Sequence, residues 1–271
     1  MSNNIYLKKG LDLPISGEAA QKVSGVIVPD VVAVKPTDFR GLVPKLLVRE
    51  GDRVLAGTPV LADKMSQNIL FASPVSGTVA EVVRGAKRKL LEVRIKADAK
   101  QEFVDFGVKK VASMTAEQIK EALLAAGLWP SLVQRPYGIV ANPDSKPKAI
   151  FVSAFNTAPL AADMEFVLRD ELEHIQTAIN ALNKLTDGGV HLSLNAKNYS
   201  GTPFHRLENV IQHTFEGKHP AGNVGVQIHH ISPIRKGETV WTVSMKVRSE
   251  SSTIRPVRSL MMTRKSMMIM L

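Results

Sequence analysis

The sequence predicts a multi-domain α/β protein with three parts: an all-β domain in residues 1–98, a layered α/β domain in residues 99–244 and an atypical tail in residues 245–271. Two observations lead to this prediction. Short β-branched segments separated by glycines run from Val48 to Val79, and a strand–helix–strand pattern occupies residues 149–194. Short strands joined by tight turns are typical of compact β domains, whereas alternating strands and helices indicate a parallel sheet.

The all-β prediction rests on two glycine-containing segments, residues 48–61 and 72–79. Gly51 and Gly57 stand where short strands need tight turns with positive φ, which glycine adopts without a steric penalty. The apolar residues expected to alternate into the core are Val48, Val54, Val60 and Leu61. This arrangement resembles the hammerhead of a barrel-sandwich hybrid domain of the biotinyl/lipoyl type.

A biotinyl/lipoyl-like domain raises the question of whether a lysine carries a prosthetic group, and Lys64 is the candidate. Carrier domains of this type place the lysine at the tip of a tight hairpin, about eight residues before a Pro-Val pair. Lys64 precedes Pro74 by ten residues, and Asp63 replaces a methionine. We therefore predict an unmodified, solvated lysine. A biotin or lipoyl carrier is the alternative.

The α/β domain is predicted from helical and strand periods that alternate along the chain. Its first helix begins at Thr115, which forms a capping box with Gln118. The elements predicted after it are a strand at 149–154, a long helix with apolar positions from Leu168 to Leu185, a strand at 190–194, a helix at 204–215, and strands at 224–231 and 239–243. Strand, amphipathic helix and strand form a β–α–β unit, so we expect a Rossmann-like layer.

A Rossmann-like sheet suggests a dinucleotide or flavin ligand, whose phosphates need a glycine-rich turn after the first strand. The corresponding turn, residues 155–165, contains no glycine. Asp163 and Glu165 stand instead near the predicted helix N-terminus, where carboxylates complement the helix dipole and repel a pyrophosphate. We therefore expect a dinucleotide fold without its ligand. An independent flavin- or NADH-binding electron-transfer protein is the alternative.

Composition narrows the classes of function further. The chain contains no cysteine, which excludes disulfides, thiolate nucleophiles and Cys-ligated iron–sulfur or zinc sites within it. The formal net charge is +10, but aromatic residues make up only 5%, so nucleic-acid binding is not predicted. We expect neither a signal peptide nor a membrane span, because no apolar run is long enough.

The sequence offers few candidate sites. The adjacent His229 and His230 would point to opposite faces of a predicted strand, and Ser193 and Ser232 have no identifiable base. We therefore predict no catalytic, cofactor-binding or metal-binding residues. The best candidate for a quinone or partner contact loop is His219-Pro220-Ala221-Gly222, because proline and glycine fix a turn that presents the imidazole.

Several motifs, in chain order over residues 4–243, resemble those of one family, the A subunit of the sodium-translocating NADH:quinone oxidoreductase. They are Lys9–Gly17, the hammerhead, Gly127–Trp129, Arg135–Pro136, Pro159–Asp163, and Lys218–Gly222 through Thr239–Trp241. The resemblance implies a peripheral, cofactor-free subunit on the cytoplasmic face of the bacterial inner membrane. It also implies docking to the B subunit in the membrane and a contribution to quinone interaction. In such a complex, NADH oxidation and quinone reduction drive Na⁺ export, and FAD, FMN, riboflavin and a 2Fe-2S cluster belong to partner subunits.

The tail, residues 245–271, departs from the family pattern, in which further domains follow the Val-Trp strand. It carries six basic residues against Glu250 alone, and five of the ten methionines lie between Met261 and Met270. Neither a helical nor a strand period is present. We expect a disordered or out-of-frame segment, and a basic membrane-adsorbing segment is the alternative.

Overall fold

The computed structural model describes residues 3–17, 20–22, 25, 29–107 and 109–245. The strands within them are β1 (Asn3–Leu7), β2 (Val31–Val34), β3 (Pro44–Leu46), β4 (Arg53–Val54), β5 (Pro59–Asp63), β6 (Leu70–Ala72), β7 (Gly77–Arg84), β8 (Leu90–Ala97), β9 (Val133–Arg135), β10 (Ile139–Val140), β11 (Ile150–Ser153), β12 (Val190–Asn195), β13 (Ile211–Gly217) and β14 (Val240–Ser244). The α-helices are α1 (Ala116–Ala125), α2 (Met164–Leu168), α3 (Leu172–Asn183) and α4 (Val224–Ile231). Of the predicted tail only Met245 is described, and it is buried in the core; residues 246–271 lie outside the described residues.

Two small antiparallel sheets form the predicted β domain. One has the strand order β2-β8-β7-β4 and the other the order β3-β5-β6. Gly51 and Gly57 adopt φ values of +90° and +108°, as the predicted turns require. The apolar residues of the hammerhead are buried as predicted, namely Val48, Val54, Val60 and Leu61. The glycine turns and the alternating apolar residues therefore produce the β domain that the sequence predicts.

The α/β domain is built on a seven-stranded sheet of order β1-β13-β12-β11-β14-β9-β10. Its first five strands in this order run parallel, and β9 and β10 are antiparallel at one edge. The two main helices cover opposite faces, because side chains alternate along a strand. Ile150 and Val152 belong to the core cluster that contains α3, whereas Phe151 packs with Ile228 of α4. The layered α/β prediction is confirmed.

The first strand belongs in space to this larger sheet and not to the β domain. β1 pairs in parallel with β13, from Asn3 opposite His213 to Leu7 opposite Gly217. Residues 1–98 are predicted as one domain, because local pattern alone does not reveal a pairing partner so distant in the chain. The boundary at residue 98 stays a prediction, but residues 3–7 pair across it.

Two predicted elements near the end of the α/β domain are wrong. The helix predicted at 204–215 is a 3₁₀ turn at Pro203–Arg206 followed by β13, which pairs with β1 on one side and β12 on the other. The backbone N–H and C=O groups of β13 form hydrogen bonds with both neighbouring strands. This pairing outweighs the apparent helical spacing of the segment. The strand predicted at 224–231 is α4. Val224, Ile228 and Ile231 stand at positions i, i+4 and i+7, and this helical spacing places them together against the sheet.

The remaining helices differ less from prediction. Thr115 and Gln118 form the predicted capping box at the start of α1. The long helix predicted from Leu168 to Leu185 is interrupted, because Glu171 has φ −116° and ψ 16° and leaves helical geometry between α2 and α3. Asp163 caps α2, accepting hydrogen bonds from the backbone N–H groups of Glu165 and Phe166.

The two domains share one continuous apolar core. A single cluster of buried residues includes Phe71 of β6, Trp129 of the turn after α1 and Ile150 of β11. Lys184, just after α3, donates from Nζ to the carbonyl oxygens of Val111, Ala112 and Met114 in the segment that joins the domains. Among the described residues there is no helix of the length and apolar character that crossing a bilayer requires.

Candidate functional site

The predicted contact loop lies at the carboxyl end of the parallel strands, between β13 and α4. Its conformation is fixed by backbone hydrogen bonds, Ala221 N–H to Lys218 C=O and Asn223 N–H to Pro220 C=O, both 2.9 Å. The His219–Pro220 peptide bond is cis, and Ala221 is fully buried. The turn predicted at residues 219–222 is therefore present, although no catalytic or binding role follows from its shape alone.

Thr157 joins this loop to the loop that follows β11. Its Oγ1 lies 3.2 Å from Nδ1 of His219 and accepts a 2.9 Å hydrogen bond from the Gly222 backbone N–H. The approach is close, because a Cβ added at Gly222 would stand 2.4 Å from the Thr157 backbone nitrogen. Only glycine fits at this position without a shift of backbone. The loops after β11 and β13 are thus held against each other.

A buried polar group supports the two loops from below. Gln227 of α4 is fully buried and donates from Nε2 to Ser153 Oγ at 3.0 Å and to the Ala221 carbonyl at 3.1 Å. Ser153, the last residue of β11, donates in turn to the Phe155 carbonyl at 2.9 Å. Among the described residues, Gln227 Oε1 has no hydrogen-bond partner. Sequence reasoning missed Gln227 because its segment was read as a strand.

The N-terminal segment reaches the same loop. Leu11 donates from its backbone N–H to the His219 carbonyl at 2.9 Å, and a Cβ added at Gly10 would lie 2.6 Å from that oxygen. Gln21 donates to Asp163 at 2.8 Å, beside the start of α2. The N-terminal segment and the loops of the α/β domain therefore meet at the carboxyl end of the sheet. Local sequence patterns do not indicate this contact.

Open α/β sheets bind dinucleotides at this end, and the turn after β11 differs from the phosphate-binding turn of such proteins. The turn after β11 lacks glycine, and Thr157 closes it against Gly222. Asp163 already occupies the N-terminus of α2, where a phosphate would otherwise be held. Burial raises the pKa of Glu165 in the same turn, because water is excluded from its carboxylate.

Lys64, the candidate carrier lysine, is exposed directly after β5. Its backbone N–H donates to the Val43 carbonyl at 2.8 Å, and Asp63 Oδ1 accepts from the Met65 N–H at 3.0 Å. Residues 64–69 separate β5 from β6, so Lys64 begins a long loop and does not stand at the tip of a tight hairpin. The geometry favours the unmodified, solvated lysine, which stays a prediction.

The other residues considered from sequence do not assemble into a site. His229 and His230 are exposed on α4 and not on a strand, with ring planes 84° apart. Ser193 is buried in β12, and Ser232 follows the end of α4. Within the described part of the chain, no three or more His, Cys, Asp or Glu residues are grouped as metal ligands.

A histidine pair that sequence reasoning missed lies on the sheet. His191 of β12 stacks on Phe151 with ring centroids 4.8 Å apart, and its Nδ1 lies 2.8 Å from Nε2 of the buried His213. Burial lowers the pKa of both imidazoles, that of His213 to about 4 with a further contribution from His191. His213 could not be paired from sequence, because its strand was predicted as a helix.

Comparison with known proteins identifies both domains. Residues 5–98 match the family described as "NqrA N-terminal barrel-sandwich hybrid domain", and residues 114–247 match "NqrA second alpha/beta domain". The chain is 39% identical over 241 residues to the A subunit of the "Na(+)-translocating NADH-quinone reductase" of Rhodopirellula baltica, covering 88% of this chain and 52% of the relative. The equally named proteins of Histophilus somni and a Marinomonas species are 37% and 36% identical, with 88% of this chain and 53% of each relative covered. The chain thus spans about half the length of these curated relatives, and over its two domains it belongs to the NqrA family.

Proposed function

We propose that the chain serves as the barrel-sandwich and α/β part of NqrA, the peripheral A subunit in a sodium-pumping NADH:quinone reductase. The names of the relatives support this assignment. In this proposal the complex couples NADH oxidation and quinone reduction to Na⁺ export at the cytoplasmic face of the bacterial inner membrane. Its FAD, FMN, riboflavin and 2Fe-2S groups belong to partner subunits, and this chain supplies neither catalytic residues nor a cofactor.

The hydrogen bonds of Thr157 are the main support for this proposal. In dinucleotide-binding sheets, the loops at the carboxyl ends of the strands separate and admit the pyrophosphate. Here Thr157 accepts from Gly222 and contacts His219, so the two loops contact each other directly. An α/β domain whose loops are fixed in this way is suited to positioning partners. This supports a structural role within the complex and gives no support to an independent flavin or NADH enzyme.

We further propose that the loop His219–Gly222 contacts the quinone-side partner, the B subunit in the membrane. Thr157 and the buried Gln227 hold its backbone, so little conformational entropy is lost when a partner binds. His219 is only partly buried, with Nδ1 directed to Thr157. The loop therefore presents an ordered imidazole at the carboxyl edge of the sheet.

A chimeric protein tests this function. Residues 3–245 of this chain replace the matching half of the Rhodopirellula baltica relative, and membranes carrying the other subunits are assayed for Na⁺-dependent quinone reduction by NADH. We expect the chimera to assemble and restore activity. His219→Ala should reduce assembly or activity, whereas His230→Ala, an exposed histidine of α4, should not. A folded chimera that is never recovered with the membrane subunits would refute the proposal.

A further inference from the structure

An exposed segment, the strap (residues 8–17), follows β1. Near its start it is fixed to the candidate site, since Leu11 N–H donates to the His219 carbonyl. Beyond its end, Gln21 donates to Asp163, so the described chain on either side contacts the loops after β13 and β11. The strap is thus held at the carboxyl end of the sheet.

The strap exposes aliphatic side chains to an unusual extent. Leu11 is 84% exposed, Leu13 62% and Ile15 49%. Leu160, in the loop between β11 and Asp163, is 82% exposed and has a φ of +57°. Exposed aliphatic groups contribute little to folding, and apolar side chains grouped on an ordered segment typically mark an interaction surface. The fold holds the segment in place without burying these side chains.

Basic residues adjoin the start of the strap. Lys8 and Lys9 precede Leu11 and are exposed. Lys218 approaches from the adjoining loop, where its Cβ would lie 3.0 Å from a Cβ added at Gly10. Asp12 is the acidic residue of the strap. Aliphatic groups flanked by lysines match an anionic bilayer surface, where the apolar groups enter the acyl boundary and the ammonium groups remain among the phosphates.

We propose that the strap inserts Leu11 and Leu13 into an anionic lipid surface, with Lys8, Lys9 and Lys218 on the lipid phosphates. This inference rests on the proposed function, because part of a sodium-translocating reductase works beside a membrane. The lysine cluster favours anionic lipid over a purely apolar groove on another protein. A protein partner on the same surface is an outcome that the experiment separates.

The chain has no cysteine, so one introduced cysteine labels one position. We attach an environment-sensitive dye to Leu13→Cys and add vesicles of phosphatidylcholine, alone or mixed with phosphatidylglycerol. A blue shift should occur on the mixed vesicles. Met65→Cys is the matched control, since Met65 is 79% exposed in the β domain. The dye at position 65 should remain in water, even if the basic residues 246–271 bring the protein to the vesicles.

Affinity supplies the second measurement. The double variant Leu11→Asp/Leu13→Asp should bind mixed vesicles at least about tenfold more weakly than the parent chain, whereas Met65→Asp should bind unchanged. The absence of vesicle binding, or bound protein without a blue shift at position 13, would overturn the lipid proposal. If the double variant binds vesicles normally but prevents assembly of the chimera, the strap contacts a protein. That result would leave the proposed function standing.

Discussion

The indole ring of Trp129 meets that of Trp241 edge to face, with ring centroids 5.4 Å apart and planes at 81°. Trp129 lies in the turn after α1, and Trp241 lies in β14. The pair connects the first helix to the central sheet inside the shared core. Only Trp129 has a hydrogen-bond partner for its ring nitrogen, the Ala141 carbonyl at 2.7 Å; among the described residues, Nε1 of the buried Trp241 has none.

This difference predicts unequal effects of the same substitution. Trp129→Phe should lower the free energy of unfolding by about 1–3 kcal/mol more than Trp241→Phe, because it also leaves the buried Ala141 carbonyl without its donor. Both variants lose similar ring volume, so each serves as the control for the other. Urea unfolding followed by circular dichroism measures the difference. Equal losses would show that the Trp129 hydrogen bond contributes nothing to stability.

Two glycines close to each other in the chain should respond oppositely to alanine. Gly222→Ala should destabilise by about 1–3 kcal/mol, because its Cβ would overlap the Thr157 backbone and the loops would have to separate. Gly225→Ala should be neutral or stabilise by up to about 1 kcal/mol, because position 225 is an exposed helix position with open space around it. Thermal unfolding of both variants checks the contrast. A harmless Gly222→Ala would mean that the two loops are not in close contact.

The buried histidine pair predicts a loss of stability in mild acid. The folded-state pKa of His213 is lowered to about 4 from an ordinary value near 6.5, so the unfolded chain binds the proton more readily between these values. The contribution of neutral His213 to the free energy of unfolding is fully present above about pH 6.5 and is lost as the pH falls toward 4. The loss is on the order of 3 kcal/mol. The lowered pKa of His191 acts in the same direction, and the raised pKa of Glu165 partly offsets both.

Urea unfolding at pH 7.5, 6 and 5 measures this dependence. His213→Gln should flatten the profile over this range, whereas the matched change His230→Gln, at an exposed position, should leave its slope unchanged. A parent profile as flat as that of His213→Gln would contradict a neutral, buried His213.

Alanine substitutions at two lysines should differ in their effect on stability, because one side chain is solvated and the other binds backbone carbonyls. Lys64→Ala should change the free energy of unfolding by less than about 0.5 kcal/mol, and intact mass after expression with biotin and lipoyl ligases should show no modification. Lys184→Ala should cost about 1–3 kcal/mol, because three backbone carbonyls lose their common donor. A mass increase at Lys64 matching biotin or lipoate would restore the carrier alternative.

Sequence predicted the elements whose signals are local. Gly51 and Gly57 required positive φ, and the capping box at Thr115 marked the start of α1; the structure confirms both. The first β–α–β unit was visible from its periods. The loop at His219–Gly222 was located correctly as a turn, because proline and glycine determine its backbone.

Features that depend on distant partners could not be predicted. β13 becomes a strand because β1 and β12 lie on either side of it, and β1 joins the larger sheet through the same contact. The β-branched residues of α4 favour a strand when only local pattern is considered. Their helical spacing becomes informative only once they pack against Phe151. The meeting of Thr157 with Gly222 requires both loops to be in place, so no local pattern contains it.

The dinucleotide-type sheet of this chain, whose loops after β11 and β13 are held together at Thr157, should bind neither FMN nor NADH. Calorimetric titration of the purified chain with FMN and with NADH tests it most directly. We expect no saturable heat for either ligand and no yellow chromophore in the purified protein, because the turn after β11 contains no glycine, Thr157 holds it against Gly222, and Asp163 already caps α2. Stoichiometric binding of either ligand would contradict the account.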